Sequence, residues 1–322
     1  MPSLAPAPRV AAVVVTWNRR DLLMEALAAV TGQDPAPDQV IVIDNASTDG
    51  SAAAVREQFP AVSLTELAEN TGGAGGFACA LALALARGAD LVWLMDDDTV
   101  PEPGALAALV DAWRRAPAGT PALVASRVVW TDGRPHPMNT PREKPFVSAA
   151  ERRAAESVGC LPIRSASFVS LLVDGAQCRR RGLPQADYFL WNDDFEFTTR
   201  MVRGSVGLLC PASVVVHKTK TFGSTDVDPG ERFFYEVRNK VWMLRSGRPL
   251  GPVERVLYAG STVRRWARTF AASSDRRTLR RCLVRGLSAG LRTRPRPTEE
   301  VLASVCPEAV TAAPSSSAAA SS

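Results

Sequence analysis

Two clusters of acidic residues, well separated in the sequence, are the residues best suited to do chemistry. The first is Asp96, Asp97 and Asp98, which directly follow the apolar run 91–95. Carboxylates this close raise one another's pKa unless a cation or hydrogen-bond donors keep them ionised. A divalent cation such as Mg²⁺ or Mn²⁺ is the simplest partner, because such ions bind carboxylate oxygens. The cluster therefore predicts a metal site, and the alternative is a run of solvated loop acids.

The second cluster comprises Asp193, Asp194 and Glu196 at the start of a segment with helical spacing that continues through Arg200. Further along, His217 ends a β-branched run. Carboxylates and a histidine can together supply metal ligands and a general base. Two simpler interpretations stay open. Acids are favourable at any helix N-terminus, and a single histidine on a strand is often structural.

Alternating strand and helix patterns position these clusters. Apolar runs at 10–18, 39–44, 61–67 and 90–95 are separated by segments of helical spacing at 19–33, 52–59 and 75–89. This alternation predicts an α/β fold with a doubly wound, mainly parallel sheet. Ligands bind outside the carboxyl ends of the strands in such sheets, so one crevice is expected where several polar residues follow the strands. These are Thr16, Asn18, Asp44, Asn45 and the three aspartates.

The glycine cluster 70–78, which contains Gly72 and Gly73, is similar to a dinucleotide-binding fingerprint. That fingerprint belongs on the first strand-to-helix turn, with an acidic residue about 20 positions later. Here the first turn is Thr-Trp-Asn-Arg-Arg instead. The cluster is therefore interpreted as a tight loop before a helix or as a contact to a sugar or phosphate.

Composition excludes several classes of protein. The chain is 46% hydrophobic with a net charge of +5, as in ordinary globular proteins. No apolar run reaches the roughly 18–20 residues of a membrane span, and residues 1–10 lack the apolar segment of a secretory signal. A cytoplasmic location is expected. The six cysteines are scattered without a C-x-x-C pair, so they are expected to be reduced and buried.

The C-terminal third mixes arginine with aromatic and aliphatic residues at helical spacing from Arg232 to Arg296. Basic amphipathic helices of this kind bind an anionic membrane surface or a nucleic acid, or form a solvated appendage. We favour peripheral attachment to the inner face of a membrane and expect no nucleic acid. Residues 1–8 and 306–322 are expected to be flexible and disordered, and the segment around His136 to residue 158 is expected to be a flexible insertion.

Several motifs together resemble the inverting family 2 glycosyltransferases of GT-A fold. They are VVVTWN, VIVIDNASTDGS, NTGGAGGFACAL, WLMDDDTVPEPGAL and WNDDFEFTTRM followed by VVVHK, within residues 9–245. The glycine cluster, the triple aspartate and RFFYEVRNK (232–240) are similar to bacterial galactofuranosyltransferases that start actinobacterial cell-wall galactan. The resemblance implies a GT-A domain over 9–225 and a basic helical region over 226–305.

The resemblance also implies a reaction and roles for its residues. A sugar, galactofuranose in the nearest subgroup, would pass from UDP-galactofuranose to a hydroxyl of a glycan or polyprenyl-diphosphate-linked acceptor. Asp194 would be the general base beside Asp193 and Glu196, with the first two interchangeable, and Trp191 and Asp193 would contact the acceptor. Mg²⁺ or Mn²⁺ would be held by Asp96, Asp98 and His217. The nucleotide sugar would contact Thr16, Asn18, Asp44, Asn45, Gly72, Gly73, Asp96 and Asp97.

Other functions stay open at this point. A rhamnosyltransferase that uses dTDP-rhamnose would share the acidic motifs. A non-catalytic nucleotide-sugar-binding protein would lack a base, which the presence of Asp194 argues against. A membrane adaptor would need only the basic helices and would leave the acidic crevice unexplained.

Overall fold

A mixed sheet of ten strands with helices packed on both faces forms the body of the protein. A computed structural model describes residues 7–117, 119–222 and 228–312. The strands are β1 (Val10–Thr16), β2 (Gln39–Asp44), β3 (Ser63–Glu66), β4 (Leu91–Asp96), β5 (Thr99–Pro101), β6 (Leu123–Val129), β7 (Arg142–Glu143), β8 (Leu161–Ser165), β9 (Leu171–Asp174) and β10 (Gly207–His217). The helices are α1 (Arg20–Thr31), α2 (Ser51–Gln58), α3 (Gly72–Ala86), α4 (Ala105–Arg115), α5 (Ala149–Glu156), α6 (Gly175–Arg181), α7 (Asp193–Met201), α8 (Phe233–Ser246), α9 (Pro252–Ala272), α10 (Arg276–Arg292), α11 (Thr298–Val305) and α12 (Pro307–Ala312).

The strand order is β3-β2-β1-β4-β9-β6-β10-β8-β7, with β5 paired to β10. The first four strands in that order are parallel, and β9 lies antiparallel between β4 and β6. The predicted α/β fold with a central, mostly parallel sheet is confirmed. The register places Thr16 opposite Asp44 and Val15 opposite Asp96, so the polar residues that follow the strands share one edge.

Burial on both faces of the sheet explains the continuous apolar runs of the central strands. Every residue of β1 is buried, and its side chains alternate between two large apolar clusters on opposite faces. Such two-sided burial is what a parallel strand between helical layers requires. All six cysteines are buried and free, as the sequence predicted.

The C-terminal region differs from its prediction. Helices α11 and α12 pack against α3, and Val301, Leu302, Cys306 and Ala309 join the main core cluster. Residues 306–312 are therefore helical or capped by a helix rather than part of a disordered tail, because the side chains of Cys306 and Ala309 pack into the core beside α3. The rest of that predicted tail, 313–322, and residues 1–6 of the predicted flexible N-terminus lie outside the described residues.

The prediction of a flexible insertion from about His136 to residue 158 is also wrong. This segment contains β7 and α5, and His136 is fully buried, with its Nε2 3.0 Å from Thr219 Oγ1. Tertiary contacts of this kind hold the segment against the sheet.

The basic helices fall into two groups. Helix α8 is largely internal, with Asn239 and Met243 fully buried, so it is not a surface helix. Helix α9 carries the exposed apolar side chains Val253, Val256 and Val263, which are 70%, 73% and 63% exposed. In the described part of the chain, no helix is long and apolar enough to cross a membrane.

Candidate active site

The polar strand ends converge on a crevice of about 970 Å³ at the carboxyl edge of the parallel strands. Its wall includes Thr16, Asn18, Asn45, Gly72, Gly73, Asp96, Asp97 and Asp98, all of which the sequence pointed to. Five cationic side chains that were not assigned to the nucleotide site also line it: Arg19, Arg20, Lys218, Lys220 and Arg232. The crevice thus combines clustered carboxylates with cations that suit an anionic ligand.

Asp96, Asp98 and His217 lie together, with ligand atoms within 4.8 Å of one another. Strand β4 delivers the aspartates, and the parallel pairing of β10 with β6 carries His217 to the same edge. His217 Nε2 is 3.0 Å from Asp98 Oδ1, yet this buried oxygen accepts no hydrogen bond from any residue that the structure describes. A cation between the two atoms would satisfy both of them.

The other ring nitrogen of His217 supports the same interpretation. Its Nδ1 lies 2.8 Å from Asn139 Oδ1, and Asn139 is itself buried. With a metal bound and Nδ1 donating to that oxygen, Nε2 would direct its lone pair to the metal, as the second-shell partners of ligating histidines arrange. The residues present therefore fit Mg²⁺ or Mn²⁺, which take oxygen and imidazole ligands.

Arg19 neutralises part of the acidic cluster. Its Nη1 donates to Asp98 Oδ2 at 2.5 Å and to Asp97 Oδ1 at 3.1 Å. Burial would raise the pKa of Asp98, but His217 and Arg19 hold it below its ordinary value. Burial raises the pKa of Asp97 to about 6 despite Arg19. Thr16 Oγ1 and the Trp17 amide donate to Asp97 Oδ2, so Asp97 joins the first strand end to the cluster.

A hydrogen-bonded loop forms the opposite wall. Asn45 donates to the Gly72 carbonyl and accepts from the Thr71 amide, both at 2.8 Å. Gly72 has a φ of 69°, and a Cβ at this position would lie 1.9 Å from the Phe189 carbonyl oxygen. Only glycine allows this close approach, which joins the glycine loop to the segment before α7.

Two of the predicted nucleotide contacts take structural roles. Asp44 is buried, is absent from the crevice wall, and its Oδ1 accepts from the Ser47 amide. Asn18, with a φ of 53°, accepts at Oδ1 from the Thr48 amide at 2.7 Å. Asp44 therefore supports the loop after β2, while Asn18 reaches both this loop and the crevice.

A second, narrower cavity of about 180 Å³ lies on the other side of the segment 189–194. Phe189 and Leu190 face the first crevice, whereas Trp191, Asn192 and Asp194 line the second cavity. Phe189, Trp191 and Asn192 all have positive φ, so the backbone turns sharply where the two cavities meet. The structure thus brings Trp191 and Asp194 together and sets them beside, not within, the acidic crevice.

The two aspartates that begin α7 have perturbed acidities. Burial, followed by the neighbouring charge of Asp194, raises the pKa of Asp193 to about 8. Burial also raises the pKa of Asp194, and this effect exceeds the opposite effect of the Phe195 amide and of the nearby Lys240 and Arg142, which lower it. A carboxyl group with a raised pKa is suited to accept a proton near neutral pH.

Glu196 points away from both cavities, although it was predicted to act beside the base. Its carboxylate forms a buried two-pronged ion pair with Arg200 at 2.8 and 2.9 Å, and Arg200 also donates to the Leu183 carbonyl. One helical turn separates the partners, so they share one face of α7, and neither residue lines either of the two cavities. The prediction of a catalytic Glu196 is not supported by this position.

Helix α8 supplies residues that sequence reasoning did not assign to the site. Asn239 Nδ2 donates to the carbonyls of Tyr188, Leu190 and Trp191, each at 2.9 Å. Glu236 accepts from Asn192 at 2.8 Å. The motif RFFYEVRNK contained the necessary signal, since a buried asparagine and an acid among apolar residues suggest satisfied polar contacts.

Comparisons with a family model and with known proteins agree on one family of enzymes. The model of Glycosyl transferase family 2 matches residues 11–167. The galactofuranosyltransferase GlfT1 of Mycobacterium tuberculosis is 30% identical over 250 residues, which cover 72% of this chain and 81% of the relative. GlfT1 of Mycolicibacterium smegmatis is 47% identical over 92 residues, covering 29% of this chain and 30% of the relative.

Solved structures share the fold at lower identity. The mannosyltransferase PcManGT from Pyrobaculum calidifontis, in complex with GDP-Man and Mn²⁺, has a TM-score of 0.52 at 22% identity, covering 94% of this chain and 81% of that one. TarS 1-349 of S. aureus, in complex with UDP-GlcNAc, has a TM-score of 0.57 at 18% identity, covering 92% and 84%. Both are glycosyltransferase folds.

Proposed function

Because this chain belongs to glycosyltransferase family 2, we propose that it transfers galactofuranose from UDP-galactofuranose to an acceptor hydroxyl with inversion at the anomeric carbon. The observation that carries the proposal is the pair of adjoining cavities. Acidic residues and cations line one cavity, and a buried aspartate with a raised pKa lines the other. A single displacement needs a donor site and a base on opposite sides of the reacting carbon.

The donor is proposed to bind in the larger crevice. Asp96, Asp98 and His217 would hold Mg²⁺ or Mn²⁺, which when bound neutralises the charge of the donor diphosphate. Lys218 and Lys220 line the same wall and would contact the diphosphate as charged groups. Thr16, Asn45 and the glycine loop shape the space for the nucleoside. The choice of UDP-galactofuranose rests on the two galactofuranosyltransferase relatives.

The acceptor is proposed to bind in the narrower cavity, where Asp194 would remove the proton of its attacking hydroxyl. Trp191 lines the same cavity and offers an apolar ring face to a sugar. Asp193 is buried beside Asp194 and influences the charge of Asp96, so it lies toward the donor side. These positions favour Asp194 over Asp193 as the base.

Donor binding and metal dependence can be tested together. Titration of UDP-galactofuranose into the protein, with and without Mn²⁺, should show binding that requires the metal. Asp98→Asn should abolish this dependence, because it removes a charged ligand of a three-residue site. Asp132→Asn, a change to an acid on the exposed turn, is the matched control. Binding of dTDP-rhamnose in preference to UDP-galactofuranose would replace the proposed donor, and metal-independent binding would remove the metal from the proposal.

We also propose peripheral attachment to an anionic membrane through α9. Val253, Val256, Leu257 and Val263 recur at helical spacing on one exposed face, among several arginines. Apolar side chains between basic ones suit the boundary between lipid headgroups and acyl chains. Since α8, α11 and α12 pack into the body of the protein, point changes test this better than truncation.

The double variant Val256→Glu/Val263→Glu should sediment less with vesicles that contain phosphatidylserine. Leu161→Glu alters a partly exposed apolar residue on β8 and should sediment like the unaltered protein. Equal sedimentation of all three proteins would reject attachment through α9.

A further inference from the structure

A third cavity lies where α6 and α8 end and α11 begins, and it measures about 890 Å³. Helix α7 contributes Glu196 and Arg200 to its wall, and the segment between α10 and α11 contributes Arg294 and Pro295. None of the residues that line it also lines the donor crevice or the cavity of Asp194. The cavity is therefore separate from the proposed catalytic site.

Arginine side chains give this cavity a strong positive charge. Five of them line it, from four separate parts of the chain: Arg181, Arg200, Arg245, Arg248 and Arg294. Arg200 is neutralised by Glu196. Among the residues that the structure describes, no carboxylate forms an ion pair with any of the other four. The remaining carboxylate of the wall is Glu299, so four unpaired guanidinium groups leave a net of three positive charges.

Backbone carbonyls fix two of these guanidinium groups. Arg181 Nη1 donates to the Arg200 carbonyl at 3.1 Å, and Arg245 Nη1 donates to the Thr293 carbonyl at 3.0 Å. Burial, followed by the charges of Arg180 and Arg200, lowers the pKa of Arg181, as expected where positive charges lie close together. The fixed groups keep further N–H donors, and the forked guanidinium matches the oxygens of a phosphate.

Tyr188 adds a buried donor to the same wall. It is 2% exposed, and within the described ranges no group forms a hydrogen bond with its hydroxyl. Burial, followed by the charge of Glu196, raises the pKa of Tyr188, so the hydroxyl stays protonated and can donate. A buried hydroxyl without a partner is costly, and an acceptor oxygen bound in the cavity would satisfy it.

We propose that this cavity binds a small phosphorylated molecule with at least two negative charges, held by the four unpaired arginines and the Tyr188 hydroxyl. Its volume lies within the range of about 300–1,000 Å³ that is common for organic ligands, and is larger than a bare phosphate needs. Leu183, Trp242 and Pro297 provide apolar wall for the organic part. The ligand class is therefore that of a nucleoside diphosphate, and the site does not depend on the proposed glycosyl transfer.

Isothermal titration calorimetry with ADP, inorganic diphosphate and adenosine tests the site. The buffer is free of metal, so that the metal-dependent donor crevice does not contribute. ADP should bind more tightly than diphosphate, and adenosine should show no binding. The double variant Arg248→Met/Arg294→Met should weaken ADP about 10- to 100-fold, the usual effect of losing hydrogen bonds to a charged group. Unchanged affinity for ADP in this variant would overturn the proposal.

A matched variant controls for net charge. Arg277→Met/Arg280→Met removes two exposed arginines at the start of α10, away from the cavity, and should leave ADP binding unchanged. An equal loss in both double variants would show a general effect of charge and would overturn the site. Lys218→Met alters the donor crevice and should also have no effect. A loss in this variant alone would place ADP in that crevice instead.

Two further measurements test the chemistry of the ligand. Tyr188→Phe should weaken ADP about 3- to 10-fold, and it should leave Tm unchanged because the hydroxyl has no partner to lose among the described residues. Unchanged affinity would remove the hydroxyl from the site. Hexaglutamate carries several carboxylates but no phosphate and should bind more weakly than ADP. Equal or tighter binding of hexaglutamate would overturn the assignment to a phosphorylated molecule.

Discussion

Replacing Lys240 by methionine should make the protein more stable. Burial, aided by Arg142, lowers the pKa of Lys240 from 10.5 to about 7. At about 1.4 kcal/mol for each pH unit between the two pKa values, the buried charge destabilises the folded state by at most about 5 kcal/mol. Methionine fills a similar space without the charge. Asp194 loses a neighbouring cation in this variant, so the expected gain is about 2–4 kcal/mol.

The pH dependence of this gain has a definite sign. Below pH 7 the lysine is protonated in both the folded and the unfolded chain, so the cost of burying the charge is fully present. Between pH 7 and 10.5 the folded chain releases the proton while the unfolded chain keeps it, and the cost shrinks as the pH rises. The stabilisation by Lys240→Met should therefore be largest at acidic pH and small near pH 10.5.

Thermal unfolding at about pH 6 and pH 9.5 measures both points. In a chain of 322 residues each kcal/mol shifts Tm by roughly 2 °C, so the variant should melt about 4–8 °C higher at the lower pH. At the higher pH, the difference in Tm between the variant and the unaltered protein should be a minor fraction of its value at the lower pH. Lys240→Arg retains the charge and should show no gain. A Lys240→Met protein that melts lower at both pH values would show that the ammonium is well paired, and would refute the reasoning.

Three further predictions concern other parts of the site. Asp194→Asn should lower kcat by about 10²- to 10⁴-fold with donor binding unchanged. Because burial raises the pKa of Asp194, the unaltered enzyme should lose activity as the pH is lowered, and this loss should begin at a pH above the ordinary pKa of aspartate. Asn239→Ala removes three hydrogen bonds from the loop before α7, and should cost about 2–3 kcal/mol and speed hydrogen exchange at residues 188–192. Arg164→Met should cost about 3–5 kcal/mol, because it removes the ion-pair partner of Glu254 and the donor of two buried carbonyls.

Each of these has an outcome that contradicts it. Near-normal turnover by Asp194→Asn would transfer the base role to Asp193. Unchanged exchange in the loop would show that Asn239 does not hold it. Arg134→Met, which removes an exposed arginine, is the control for Arg164, and equal melting of the two variants would show that the buried ion pair contributes nothing net.

The sequence by itself determined the parallel half of the sheet and the edge at which chemistry occurs. Apolar runs such as 10–15 and 91–95 are continuous because helices cover both faces of their strands, and this local signal is independent of the rest of the chain. Once these strands are parallel, their carboxyl ends must share an edge. Thr16 and the three aspartates were therefore expected together, and the structure places them along one crevice.

The tertiary structure alone decided which acidic residues face which cavity. Asp194 and Glu196 are two positions apart, but a helix turns by about 100° per residue, so one lines the second cavity while the other pairs with Arg200. No local pattern specifies this rotation, because it depends on how α7 packs against its neighbours. The contacts of Asp44 likewise depend on how the loop after β2 folds back, so the sequence did not show that this residue supports its loop.

Long-range packing also decided the role of the C-terminal third. In sequence, α8 reads as one of several basic amphipathic helices, yet in the structure it buries Asn239 and Lys240 against the loop before α7. Arg142 and Lys240 are distant in the sequence and meet only because β7 and α8 enclose the same cavity. Helical periodicity gives the faces of a helix but not the surface that covers each face, and that surface is what converts a basic residue into part of a site.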